Sequence, residues 1–140
     1  MALVVRKATA DDADELFRLA RDFATSFKPE RGAFDVSLRH LLADEDAWLS
    51  VAEDEGDVVG YCLGFDHYAF YANGRVSWVE EIMVKADLRK KGVGRALMDA
   101  FEEWARSRGS RLVGLATRRA APFYTALGYE ESAIFFRKLL

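Results

Sequence analysis

The alternation of apolar and polar residues divides this chain into short strands and amphipathic helices. Apolar residues recur at helical spacing from Ala13 to Phe27, Thr9 stands where an N-cap would, and 28–32 breaks the pattern. Charged residues and a glycine at 54–57 predict a hairpin turn. We expect strands over 3–5, 48–52, 58–65, 76–84, 111–116 and 133–140, and helices over 13–27, 34–42, 93–107 and 119–127.

The predicted order β-α-α-β-β-β-α-β-α-β indicates an α/β protein, a mixed sheet with helices on both faces. The 140 residues are 51% hydrophobic and 31% charged, which is enough to bury one core. We therefore expect a single domain over 1–140. The pattern contains no internal repeat and no low-complexity tract.

Composition argues against several classes of function. The net charge is −3, and cations gather around one loop instead of an extended face, so we expect no nucleic-acid partner. No apolar run has the length of a membrane span, and the first residues do not resemble a signal peptide. The single cysteine, Cys62, fits a reducing cytoplasm and a buried structural thiol better than a nucleophile. With only His40 and His67 beside it, we expect no metal site.

The most informative segment is 88–96, Leu-Arg-Lys-Lys-Gly-Val-Gly-Arg-Ala, between a predicted strand and a predicted helix. Glycine allows a close backbone approach, and the free amides of a helix N-terminus favour anions. The segment therefore indicates a phosphate site, although a basic helix start without a ligand is the alternative. The P-loop motif is absent, and the dinucleotide motif would need a glycine where Leu97 stands.

The pattern Arg89-x-x-Gly92-x-Gly94 resembles the acyl-CoA pyrophosphate loop of the GNAT superfamily of N-acetyltransferases. The preceding strand 79–84, Val-Glu-Glu-Ile-Met-Val, resembles the central strand of that family, and 123–129 resembles its F-Y-x-x-x-G-[FY] segment. The resemblance is strong from 76 to 140 and weaker from 4 to 65.

This resemblance implies the GNAT-like acyl-CoA N-acyltransferase fold, with a central mixed, mostly antiparallel sheet. It implies direct transfer of an acetyl group from acetyl-CoA to a primary amine of a small molecule or peptide in a ternary complex. It also implies a set of residues that hold the cofactor, partly through the backbone of the central strand and partly through the loop. They are Ile82, Met83, Val84, Arg89, Lys90, Lys91, Gly92, Val93, Gly94, Arg95 and Tyr124.

Glu80 and Glu81 are the candidate bases that would deprotonate the amine. Because side chains alternate along a strand, we expect them on opposite faces, so that only one can face the reaction. Desolvation among apolar neighbours would raise the pKa of that carboxylate. The resemblance favours Glu80, acting through water; Glu81, or neither residue, is the alternative.

Tyr124 occupies the position of the family's tyrosine near the thioester sulfur. A phenol is protonated at neutral pH and can donate to a departing thiolate, or it can simply pack in the core. The chain departs from the family's usual pattern at Lys90, where glycine is common, at Ala86 and at Thr117. None of these changes removes a group that the chemistry needs.

The acceptor is the least defined part of the site. Aromatic residues before the central strand could line an acceptor pocket, cover a homodimer interface or belong to the edge of the core: Phe65, Tyr68, Phe70, Tyr71 and Trp78. With Asp66, they would suit a cationic amine. A non-catalytic acyl-CoA sensor and an interaction protein are the rival interpretations.

Overall fold

A five-stranded mixed sheet forms the centre of the molecule, in the order β1-β2-β3-β4-β5. The computed structural model describes residues 1–24 and 26–140. The strands are β1 (Leu3–Lys7), β2 (Ala47–Asp54), β3 (Asp57–Ala69), β4 (Gly74–Val84) and β5 (Val113–Leu115). Strands β1 to β4 are antiparallel, and β5 joins β4 in parallel. The predicted α/β class and mostly antiparallel sheet are confirmed.

Four α-helices accompany the sheet in the described part of the chain: α1 (Ala13–Phe23), α2 (Arg31–Ala43), α3 (Val93–Ser107) and α4 (Ala121–Ala126). The predicted Thr9 cap is present, because its side chain accepts from the Asp11 amide while Asp12 accepts from the Thr9 amide. The first helix ends at Phe23, since Ala24 is extended. Residue 25, which the predicted first helix included, lies outside the described residues. Among the described residues, no helix is long and apolar enough to cross a membrane.

Two buried clusters lie on opposite faces of the sheet. The α3-side core comprises Ala52, Val59, Cys62, Val79, Val93, Leu97, Met98, Phe101 and Tyr124. The α1-side core comprises Ala8, Leu16, Leu19, Leu38, Val51, Val58 and Tyr61. Helix α3 contributes apolar residues at four-residue spacing, which places them on one face. The helices therefore cover both faces, as predicted.

The predicted last strand, 133–140, is wrong: the described structure has no strand there. Its side chains are exposed, and the segment is held by a stack of Phe135 on Trp78 at 6.4 Å and by a hydrogen bond from Arg137 to Ser26 at 2.8 Å. The run Ala-Ile-Phe-Phe-Arg-Lys-Leu-Leu has apolar character without alternation. Since such a run specifies no buried face, propensity alone did not place it in the sheet.

Candidate active site

Strands β4 and β5 separate near one edge of the sheet. They pair only at Ser77 with Val113, Trp78 with Gly114, and Val79 with Leu115. Beyond Val79, β4 continues to Val84 and stays paired with β3 on its other side. This leaves a gap beside the second half of β4, where its edge can accept another extended chain.

A β-bulge at Glu80 begins where the gap opens. Leu63 pairs with Glu81 and Gly64 with Val79, so Glu80 is the extra residue. The expectation that Glu80 and Glu81 face opposite sides is therefore wrong. Both line one cavity on the α1 side, while Val79 and Ile82 on either side of them pack in the α3-side core. The bulge breaks the two-residue alternation on which the expectation rested.

The register after the bulge decides which backbone groups face the gap. The Lys85 amide donates to the Val59 carbonyl at 2.9 Å, and hydrogen-bonded pairs alternate along an antiparallel ladder. Met83 therefore bonds to β3, whereas the amides and carbonyls of Ile82 and Val84 point to the open side. The guanidinium of Arg89 donates to the Val84 carbonyl at 3.3 Å, consistent with that orientation.

The glycine loop leads directly into helix α3. Gly92 is its N-cap in a left-handed conformation, with φ 89°, and provides no side-chain cap. The Ala96 amide donates to the Gly92 carbonyl, so the preceding amides of Val93, Gly94 and Arg95 have no partner within the helix. A Cβ on Gly94 would lie 3.1 Å from the Phe123 ring, so any larger residue here would require that ring to shift by a few tenths of an ångström.

Cations surround this helix start. Arg89, Lys90, Lys91 and Arg95 are all exposed. Lys90, at a position where glycine was expected from the resemblance, has φ 64° and so adopts the left-handed conformation that glycine favours. The loop therefore keeps a glycine-like backbone at Lys90 despite the added side chain. Open amides, positive charge and the helix dipole together suit a phosphate group.

Tyr124 lies in the α3-side core, with 8% of its surface exposed. Helix α4 positions it, and the rings of Phe123 and Tyr129 pack edge-on against it at 4.9 and 6.0 Å. Burial, together with the nearby Cys62 thiol, raises the pKa of Tyr124 to about 12. The phenol therefore stays protonated at neutral pH, as a hydrogen-bond donor must.

Cys62 is fully buried, as the sequence predicted. Burial raises the pKa of its thiol to about 12. A thiol in this state is a poor nucleophile at neutral pH, because the reactive species is the thiolate. Its place is structural, within the α3-side core beneath the gap.

The two glutamates of the bulge differ in their surroundings. Glu80 is exposed and accepts a hydrogen bond from the Trp78 indole at 3.0 Å. The burial that we expected around Glu80 is therefore missing. Glu81 is half-buried and accepts a hydrogen bond from the Tyr61 hydroxyl at 2.7 Å. Burial and the Glu81 carboxylate raise the pKa of Tyr61, which keeps its hydroxyl protonated.

Tyr61 is a site residue that the sequence analysis missed. Within the run 58–65 it has the pattern of a strand residue, and only the pairing of β3 with β4 brings it to the glutamates. A buried tyrosine whose hydroxyl needs a partner was the available signal.

A cavity of about 530 Å³ lies between α1, α2 and the sheet, with Glu80 and Glu81 in its wall. Leu16, Phe23, Phe34, Leu38 and Leu63 are among its apolar lining residues. Ile82, Val84 and Tyr124, which the sequence predicts to hold the cofactor, pack against or within the core on the other face of β4. The bulge thus stands between the cationic loop, which has an open strand edge beside it, and a cavity of small-molecule size.

The aromatic group proposed for the acceptor does not line this cavity. Tyr68, Phe70 and Tyr71 are exposed around the β3–β4 turn, whereas Phe65 and Trp78 are half-buried. Of the three alternatives for this group, the pocket wall is wrong for this cavity, because the hairpin carries its tip away from the bulge. A homodimer contact through the exposed tip stays a prediction.

Asp66, which was expected beside the acceptor, instead forms buried ion pairs. It is buried and paired with Arg75 at 2.7 Å and Arg108 at 2.6 Å, and Arg108 also contacts Asp46. An aspartate neutralised by two guanidiniums is not available to attract a cationic amine. Its role is to tie β3 to β4 and to the end of α3.

The family assignment comes from comparison with known proteins. The model of the acetyltransferase (GNAT) family matches residues 13–129. The chain belongs to the GNAT acetyltransferase family. The predicted membership is confirmed, and with it the assignment to acetyl-CoA-dependent acyltransferases.

Relatives of this GNAT chain include several N-acetyltransferases. The uncharacterized N-acetyltransferase YhfO of Bacillus subtilis is 26% identical, over 94% of this chain and 92% of its own length. The thialysine N-epsilon-acetyltransferase of Bos taurus is 27% identical, over 92% and 85%. The uncharacterized N-acetyltransferase MJ1207 of Methanocaldococcus jannaschii is 28% identical over 93% of this chain, but the match spans only 62% of MJ1207.

Solved structures share the fold. Glucosamine-6-phosphate N-acetyltransferase from Arabidopsis thaliana superimposes with a TM-score of 0.87, at 19% identity and 99% coverage of both chains. AAC(6')-Iy in complex with the bisubstrate analogue CoA-S-monomethyl-acetylneamine gives 0.83, at 21% identity and 100% coverage of both chains. At these identities the likeness is one of fold.

Proposed function

We propose that residues 1–140 form one catalytic domain that transfers an acetyl group from acetyl-CoA to a primary amine of a small molecule or peptide, directly within a ternary complex. The observation that carries this proposal is the bulge at Glu80. On one face of β4 it adjoins an open strand edge and a cationic helix start, and on the other a cavity lined by carboxylates. Two reactants could meet there without a protein nucleophile.

The cofactor would be held by backbone groups and by charge. The amides at the start of α3 and the cations of the loop suit its pyrophosphate. The open backbone groups of Ile82 and the amide of Val84 suit the pantetheine arm, which would add to β4 as a strand does. Met83 lies between them and bonds to β3, and would so hold this part of β4 in place beside the cofactor. Tyr124 would pack beside the gap. The loop residues in this proposal are Arg89, Lys90, Lys91, Gly92, Val93, Gly94 and Arg95.

When bound, acetyl-CoA supplies an activated acetyl group as a thioester. The Ile82 amide faces the gap and can polarise the carbonyl of that group, as an oxyanion-hole donor does. Glu80 accepts the proton of the ammonium through water, for which its exposure gives access. Glu81, held by Tyr61, binds the amine beside it.

The carbon–nitrogen bond forms as the carbon–sulfur bond breaks. Tyr124 donates its hydroxyl hydrogen bond to the departing sulfur. The proton of Tyr124 passes to sulfur, while the amine nitrogen loses a further proton as it becomes an amide. Because the raised pKa of Tyr124 disfavours tyrosinate, that further proton restores the phenol. The proton on Glu80 leaves to solvent, to which this side chain is exposed, so that protons and bonds balance without a covalent acetyl-enzyme.

Calorimetric titration with acetyl-CoA tests the proposal. We expect Arg89→Glu/Arg95→Glu to weaken binding at least about 100-fold, because each of the two hydrogen bonds to a charged group contributes about 1.5–3 kcal/mol. Arg18→Glu/Arg39→Glu makes the same change of charge on exposed helix positions of the opposite face and should bind normally. Amine acetylation would then be followed by mass spectrometry. Cofactor binding without transfer to any amine would indicate a sensor instead, and absence of binding by the folded protein would overturn the proposal.

A further inference from the structure

The acceptor cavity has an uneven distribution of polarity. Apart from the bulge glutamates, its charged lining residues are Glu30, which is exposed, and Arg137, which donates to Ser26. Most of the other lining side chains are apolar, contributed by α1, α2 and the sheet. The carboxylates of Glu80 and Glu81 therefore adjoin a wall that has few groups able to pair with a second positive charge.

Exposed aromatic rings extend this apolar wall. Phe23, at the end of α1, is 38% exposed, and Phe27 is 73% exposed, and both line the cavity. Large apolar side chains left in solvent beside a small-molecule cavity mark a surface whose burial is favourable. A ligand with an apolar body would cover them.

We propose that the acceptor is an amphipathic primary amine: one ammonium group bound by Glu80 and Glu81, joined to an apolar alkyl or aralkyl body that fills the cavity between α1 and α2. This rests on the proposed acetyl transfer and adds the class of acceptor. It departs from a polycationic acceptor such as a polyamine, because burying a second ammonium against the apolar wall costs free energy. Among the described lining residues the one further carboxylate, Glu30, is exposed, so solvent screens its attraction for that ammonium. The positive charge of Arg137 acts in the same direction.

A matched pair of probes tests the class of acceptor. n-Hexylamine and 1,6-diaminohexane have the same length and differ by one terminal ammonium. We expect kcat/KM to favour n-hexylamine at least about tenfold, and to rise about threefold to fourfold for each methylene from n-propylamine to n-hexylamine. A preference for 1,6-diaminohexane, or a flat series, would overturn the proposal.

A pair of variants on α2 ties the effect to the cavity. Ala33 lines the cavity and is exposed, so Ala33→Asp adds a carboxylate to the apolar wall without disturbing the core. This variant should lower kcat/KM for n-hexylamine about tenfold and raise it for 1,6-diaminohexane. Val36 is also exposed on α2 but lies outside the cavity lining, and Val36→Asp should change neither. Equal effects of the two variants would contradict the proposal.

Direct binding separates this proposal from the proposed transfer. Binding of n-hexylamine to the CoA-saturated protein would be followed by saturation-transfer NMR. If n-hexylamine binds, loses binding in Ala33→Asp and is not acetylated, the class of amine that the cavity binds stands and the transfer reaction fails. If other amines are acetylated while n-hexylamine neither binds nor reacts, the transfer stands and the acceptor class is overturned.

Discussion

The hydroxyl of Tyr61 on β3 donates a 2.7 Å hydrogen bond to the Glu81 carboxylate on β4. The register pairs Tyr61 with Met83 and Glu81 with Leu63, so the two residues are diagonal neighbours on the cavity face of the sheet. This bond fixes one of the two bulge carboxylates and leaves the other, Glu80, open to solvent. In our proposal Glu81 therefore positions the amine, and the adjacent Glu80 accepts its proton.

Tyr61→Phe should therefore raise KM for the amine about tenfold and leave kcat within about twofold, since a hydrogen bond to a charged group contributes about 1.5–3 kcal/mol. Steady-state kinetics at saturating acetyl-CoA would measure this. Tyr68→Phe, at an exposed position on the same strand, is the control and should match the wild type. A fall in kcat at unchanged KM would show that Tyr61 acts in the chemical step instead.

Glu80→Gln should behave in the opposite way. Loss of a general base lowers kcat by about 10²–10⁴, and the isosteric amide keeps the volume of the bulge. KM for the amine should change little, because Glu81 still binds it. A variant that retains wild-type kcat would remove Glu80 from the proposed mechanism and direct attention to Glu81→Gln.

Tyr124→Phe should lower kcat by about 10²–10⁴ while acetyl-CoA binds with unchanged affinity, because the group that gives its proton to the departing sulfur is lost. Calorimetry and single-turnover kinetics separate the two quantities. Tyr129→Phe is the matched control, since its hydroxyl bonds to Glu102 at 2.8 Å rather than facing the gap. Equal losses in both variants would mean that packing in the core explains the effect.

Gly64→Ala should destabilise the protein by about 3 kcal/mol, at the upper end for overpacking. A Cβ there would lie 2.2 Å from the Phe101 ring and 2.7 Å from the Trp78 carbonyl. Gly32→Ala on α2 meets nothing within 4 Å and should stabilise by about 0.5–1 kcal/mol. Urea unfolding measures both, and a neutral Gly64→Ala would mean that α3 can move away from the sheet.

The buried thiol predicts a loss of stability at alkaline pH. The pKa of Cys62 rises from its ordinary value of 9.0 to about 12 on folding. The unfolded state therefore loses its proton first, so this contribution is complete below pH 9 and is lost as pH rises toward 12. Between pH 9 and 10 the free energy of unfolding should fall by about 1 kcal/mol. Cys62→Ala should be less stable at neutral pH but lack this decline; an equal decline in the variant would assign it elsewhere.

The sequence predicted the glycine loop, the helices and the first five strands in their order along the chain, because these depend on local chemistry. Gly92, Gly94 and the apolar spacing of α3 specify a turn and a helix whatever lies beside them. The bulge at Glu80 was missed because it depends on how β4 pairs with β3, and strict alternation was the only rule that sequence alone supplied. Tyr61 was missed for the same reason. The last segment, 133–140, was assigned to a strand on propensity, which does not specify a partner.

The open half of β4 also bears on solubility. An unpaired strand edge offers its amides and carbonyls to any extended chain, which makes it a template for intermolecular association. Here the bulge at Glu80 distorts the start of that edge, and Arg89 covers the Val84 carbonyl at its end. Bulges and charges are the means by which natural sheets discourage edge-to-edge aggregation. The features that make room for a ligand thus also keep the unpaired strand edge short and limit its pairing with other chains.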